Sequence, residues 1–241
     1  MKFIRLIRQQ GLSAPVFALT LASVILTALV AYRIIAGAQV RHAYLVWNLF
    51  LAWLPLVFAV LAVERFNTNG SVRDRKFVAL GVAWLLFFPN APYIFTDLVH
   101  VLMKWRPSFW SEMMLILLCA MTGFLAGFLS LQAMHGLATR LWGCITGWLF
   151  VAAVSGLAGF GVYLGRFVRL NSWDVLNPVR LVEGVSAGAW NLMTQWHDTK
   201  FLILFSLFLL LGYVMLFALT LRPVVGDDVR SLALENGNGK S

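Results

Sequence analysis

Asp97 precedes His100 by three residues within "YIFTDLVH", residues 93–100. On a helix this spacing puts both side chains on one face. There a carboxylate can orient an imidazole as a general base or share a metal with it. One carboxylate and one imidazole leave a metal site incomplete, and no metal or cofactor is expected. Asp97 also suits a plainer role, capping a short helix over "LVHVLM". Tyr93 and Thr96 add hydroxyls beside it. A second polar cluster, "GVYLGRFVRLNSWD" (161–174), carries Arg166 and Arg169, again three apart. One helical face could then offer two guanidiniums, whose forked donors match carboxylate or phosphate. Asn171, Trp173 and Asp174 follow with further polar and amphipathic groups. The competing reading is headgroup snorkelling by both arginines, followed by an Asn/Ser turn.

The elements that must position these residues are apolar. Of the 241 residues, 61% are hydrophobic and 12% charged, where a soluble domain has about 25% charged. That leaves too little polar surface to coat a globule in water, so the class is integral membrane. Six apolar segments, about 13–35, 43–63, 77–95, 109–131, 142–164 and 200–221, each approach the ~20 residues that span a bilayer core. Continuous apolar runs without period-2 alternation exclude a barrel. The expected fold is an all-α bundle of six transmembrane helices in one domain, 1–222, with a polar tail at 223–241. The first segment resembles a signal peptide, with Lys2, Arg5 and Arg8 ahead of it and Ala36-Gly37-Ala38 behind. Its length and Arg33 favour an uncleaved helix.

The third segment is interrupted by "FFPNAPYIFTD". Only about 12 apolar residues, roughly 18 Å of helix, precede Pro89. Pro89 and Pro92 lack N–H groups and clash with the preceding turn, and Ala91 before Pro92 is pushed from the helical region. A kink or break is expected at Pro89/Pro92. Freed carbonyls inside a membrane need protein or a wet cavity around them, and Asn90 can supply the missing donor. Asn90 thus mends a helix for structure alone, or helps floor a binding site. Asn48 in the second segment is another amide able to face it, or to make an interhelical hydrogen bond.

Topology puts the two clusters in one compartment. The third and fifth segments end in the same compartment whichever way the bundle is inserted. Basic residues are denser on the N-terminal side, notably in "NTNGSVRDRK" (67–76), so both termini are expected to be cytoplasmic. Arg166 and Arg169 then sit on the disfavoured outer face, which implies partners for them, with Asp97 one choice. Gly156, Gly159 to Gly161 and Gly165 permit close helix approach. In the 165–199 connection Asn177 can cap a helix with Pro178 at its first position. Leu181, Val182, Val185, Ala189, Leu192 and Met193 recur at helical spacing. This predicts an interfacial helix over about 175–195, lying on the outer membrane surface or packed as a lid on the bundle.

Several classes are disfavoured. No Asp, Glu, Lys or Arg falls near the centre of an apolar segment, against the habit of ion-coupled pathways. No basic run is interleaved with exposed aromatics, so nucleic acid is not an expected partner. H-E-x-x-H, G-x-S-x-G and Walker A are missing. Ser155 in "VSGLAGFG" lacks a partner histidine. Cys119 and Cys144 read as small buried hydrophobes.

"WLLFFPNAPYIFTDLVH" (84–100), "GRFVRLNSWDVL" (165–176) and "NLFLAWLP" (48–55) resemble the bacterial multi-pass membrane proteins of domain-of-unknown-function family 1361. The resemblance covers roughly 43–220 and implies a bacterial cytoplasmic-membrane protein. It implies no activity and transfers no catalytic residue. Three functions stay open. The chain could bind or pass an anionic small molecule or lipid headgroup through Asn90, Tyr93, Thr96, Asp97, His100, Arg166, Arg169, Asn171, Trp173 and Asp174. It could be a membrane-interface enzyme on a lipid-linked substrate, with Asp97 or His100 as base. It could be an accessory subunit docking an unknown protein partner.

Overall fold

The computed structural model describes residues 12–36, 43–99, 109–170, 174 and 177–220. His100, Asn171, Trp173, the "LVHVLM" stretch from His100 onward and the C-terminal tail lie outside the described residues. Among the described residues every regular element is helical. They are α1 (Ser13–Ile35), α2 (Ala43–Asn69), α3 (Arg75–Phe87), the single turn α4 (Asn90–Tyr93), a 3-10 turn (Ile94–Asp97), α5 (Phe109–Trp142), α6 (Cys144–Tyr163), a π turn (Leu164–Val168), α7 (Pro178–Thr194) and α8 (Trp196–Thr220). Six stretches are long and apolar enough to cross a membrane: Ser13–Ile35, Ala43–Asn69, Arg75–Asp97, Phe109–Trp142, Cys144–Val168 and Trp196–Thr220. Helices satisfy their backbone groups internally, which hydrocarbon requires.

Local chemistry fixes the helix ends. Asp74 caps α3, accepting from the Phe77 N–H at 3.1 Å. The same carboxylate takes a two-pronged contact from Arg65 of α2, at 2.6 and 3.0 Å, so one side chain closes the α2–α3 corner. Asn177 caps α7 by accepting from the Arg180 N–H, and Pro178 occupies the first turn, as its fixed φ favours. Gly143 joins α5 to α6 with φ +89°, a conformation open to glycine.

α5 runs to Trp142, eleven residues past the apolar stretch read from the sequence. At about 1.5 Å per residue its 34 residues reach about 51 Å. Hydropathy ends at Gln132, but nothing there breaks helical hydrogen bonding, so the helix continues to Gly143. Two packed clusters share α5. One gathers Leu56, Val60, Trp84, Phe88, Phe128, Val151 and Tyr213. The other gathers Val30, Leu45, Leu49, Ala91, Ile94 and Ile116. Phe88 belongs to the first and Ala91 to the second, so the proline-interrupted stretch crosses the boundary between them.

Candidate functional site

The stretch around Pro89 and Pro92 stays right-handed. Phe88, Pro89 and Ile94 all have helical φ and ψ, and Ala91 lies inside α4, against the expectation that Pro92 would displace it. What changes is the hydrogen bonding. The Ala91 N–H donates to the Phe88 carbonyl at 3.1 Å rather than to Phe87. Phe87 is compensated by the Asn90 side chain, whose Nδ2 donates to its carbonyl at 3.0 Å. Asn90 therefore repairs the ladder that Pro89 and Pro92 interrupt.

Two glycine pairs grip this stretch from opposite sides. On α5, a Cβ placed on Gly123 would lie 2.8 Å from the Ala91 carbonyl oxygen, and one on Gly127 would lie 2.7 Å from the Ala91 Cβ. On α6 and the π turn, a Cβ on Gly161 would lie 2.6 Å from Pro89 Cγ, and one on Gly165 would lie 3.0 Å from the Tyr93 ring. Each pair is spaced G-x-x-x-G, the pattern that lets helix backbones approach closely. Pro89, Ala91 and Tyr93 pack where side chains on the neighbours would stand.

This close approach brings the two polar clusters together. Arg166 Nη1 lies 3.7 Å from Asp97 Oδ1, an ion pair longer than a hydrogen bond. Asn48 of α2 donates from Nδ2 to Asp97 Oδ2 at 3.2 Å. Each carboxylate oxygen thus faces its own donor, from α2 and from the π turn. Asp97 is 4% exposed, whereas the Arg166 side chain is 20% exposed. Arg166 also interacts with the Tyr93 phenol. The centre is an Asp–Arg pair braced by Asn48 and Tyr93, with the cation on its accessible side.

The other expected members divide. Thr96 is buried and donates to the Tyr93 carbonyl at 2.7 Å, so it finishes the 3-10 turn. Asp174 is buried and pairs with Arg180 of α7 at 3.4 Å. The two aspartates thus belong to separate ion pairs. Arg169 does not share a helical face with Arg166. The chain makes a π turn from Leu164 to Val168, and Arg169 follows with φ 62° and ψ 36°, left-handed and exposed. The extra residue per turn undoes the i,i+3 register. π turns of this kind gather at functional positions.

Sequence reasoning missed two further polar contacts. The buried Tyr163 hydroxyl donates to Asp198 Oδ2 of α8 at 2.7 Å, three residues before Arg166 on the same rod. In the other cluster the His135 Nδ1 lies 2.8 Å from the Tyr213 hydroxyl, against the Trp148 ring. Neither carries a spacing signal, because both partners are distant in sequence. His135 also fell beyond the expected end of its span. Among the described residues no three His, Cys, Asp or Glu side chains gather as metal ligands.

Six apolar helices with a buried ion pair where two spans end define a multi-pass membrane protein. The chain belongs to the family described as "Protein of unknown function (DUF1361)", which its residues 47–212 match. No curated protein and no solved structure matches it.

Proposed function

We propose that this protein binds, or passes, an anionic small molecule or lipid headgroup at the Asp97–Arg166 centre, on the outer face of a bacterial cytoplasmic membrane with both termini inside. The observation that carries the reading is the asymmetry of the pair. Asp97 is deeply buried and braced by Asn48, while Arg166 is the accessible partner and stands 3.7 Å off. An incoming carboxylate or phosphate competes with Asp97 for the guanidinium, offering the short two-pronged geometry that Arg prefers. A kink at Pro89/Pro92, mended by Asn90, gives that anion its floor.

The reading in which Asp97 serves as the base of a membrane-interface enzyme is weaker. Both carboxylate oxygens face donors, and a general base needs an oxygen within reach of the substrate proton. An accessory role predicts a stoichiometric protein partner and no lipid selectivity. Native mass spectrometry of the purified full chain distinguishes them, with phosphatidylglycerol, phosphatidylcholine and inorganic phosphate as probes. The wild type retains phosphatidylglycerol or phosphate, and Arg166→Ala loses the phosphate and retains less of the lipid. Unchanged retention in Arg166→Ala overturns the reading.

A further inference from the structure

α7 connects the fifth and sixth spans and has two opposed apolar faces. One packs on the bundle. A Cβ on Gly184 would lie 2.5 Å from the Leu170 side chain, and one on Gly188 would lie 2.5 Å from Leu164. Of the stripe expected from spacing, Leu181, Val185, Ala189 and Leu192 are half-buried while Val182 and Met193 are exposed, and the closest seating is through the two glycines. The other face bears Val179, Val182, Trp190 and Met193, which are 66–83% exposed. At about 100° per residue these four centre roughly opposite Gly184 and Gly188. Nothing in the described residues covers them.

Three observations say what does. α7 packs against the π turn and α8, which themselves carry the exposed apolar side chains Phe167, Ile203 and Leu204. The elements on which α7 rests are thus themselves apolar at their surface, as membrane spans are. Trp190 and Trp196 stand exposed at its C-terminal end, in the manner of residues that settle at the headgroup level. The rim carries more cations than anions: Arg169 and Lys200 are exposed, the Arg180 side chain is 56% exposed, the Lys200 ammonium stands 5.5 Å over the Trp196 ring, and Glu183 is the exposed carboxylate among them.

We propose that the outward face of α7 is seated in the headgroup layer of an anionic phospholipid membrane, with Arg169, Arg180 and Lys200 drawn to its phosphates. Amphipathic helices bind such layers by apolar burial plus attraction to anionic lipid. The contact is independent of the Asp97–Arg166 centre, and its test alters neither residue.

The test uses the full chain with Cys119→Ala and Cys144→Ser, carrying one environment-sensitive fluorophore at Met193→Cys or, as a flank control, at Ala187→Cys. It is reconstituted in phosphatidylcholine vesicles with and without phosphatidylglycerol. The label at 193 is expected to be quenched by phospholipid spin-labelled near the headgroup and shielded from aqueous iodide, with the label at 187 more open to iodide. Phosphatidylglycerol strengthens the lipid quenching. Arg169→Asn with Lys200→Gln weakens that preference by about fivefold for each charge removed. Iodide quenching at 193 equal to that at 187 overturns the proposal, as does shielding from both quenchers, which means that protein covers the face. Equal behaviour in both lipid compositions overturns its anionic part.

Discussion

Gly127→Ala tests the clamp that builds the site, and its partner mutation tests the reason. The new Cβ would stand 2.7 Å from the Ala91 Cβ, about 1 Å inside ordinary carbon contact. α4 is also held on its far side by Gly161 and Gly165, so it cannot simply move away. Overpacking of this kind costs about 1–3 kcal/mol. Ala91→Gly removes the atom that Gly127→Ala meets, at about 0.5–1 kcal/mol for a helical glycine. The double variant should therefore recover most of the loss and settle within about 1 kcal/mol of wild type. Gly123→Ala is the internal control. Its Cβ meets the Ala91 carbonyl oxygen at 2.8 Å, a backbone atom that Ala91→Gly leaves in place, so no rescue follows. Reversible unfolding in mixed detergent micelles reads wild type and all five variants, the Gly123→Ala/Ala91→Gly double among them. The reasoning is refuted if Gly127→Ala matches wild type, or if Ala91→Gly adds its own loss to that of Gly127→Ala.

Two further perturbations follow from single contacts. Asn90→Ala removes the donor to the Phe87 carbonyl and should lower stability by about 1–2 kcal/mol in the same unfolding measurement; no change would mean that the ladder needs no repair. At the α2–α3 corner, the hydrogen-bonded Arg65 guanidinium holds the Asp74 carboxyl below the usual carboxylate range. A carboxylate lowered by folding stabilises above its unfolded value, near 4, and the contribution fades as pH falls through the lower folded value. Asp74→Asn should therefore narrow its deficit against wild type as melting is followed from neutral pH towards pH 3.

The spans and the class were legible because hydrocarbon imposes a length and a composition that survive in one dimension. Asn90 was legible as a mender because its neighbours Pro89 and Pro92 remove donors at known places. Parity put the ends of the third and fifth spans in one compartment without saying that they meet, and Asp97 was among the expected partners of Arg166. The remainder depended on distance and register. Asn48 was expected to be able to bond across helices, but its partner Asp97 lies 49 positions away, and Tyr163 reaches Asp198 across 35, with no local pattern to mark either partner. The π turn carries no composition signal, so the Arg166/Arg169 spacing was misread as one helical face. α7 shows the same limit. Its caps and most of its packing stripe were readable, but the seating through Gly184 and Gly188 was not, because glycine marks a close approach only when the neighbour is known.

The central claim is that a ligand anion and Asp97 compete for Arg166, and Asp97→Asn tests it most directly. The variant keeps the shape and an amide able to pair with Asn48, but removes the internal competing charge. Lipid-retention titration in nanodiscs, comparing phosphatidylglycerol with phosphatidylcholine, should show Asp97→Asn holding phosphatidylglycerol more tightly than wild type. Arg166→Ala in the same background should abolish the gain. Equal or weaker retention in a folded Asp97→Asn protein would contradict the account, since the pair would then be a brace and not a site.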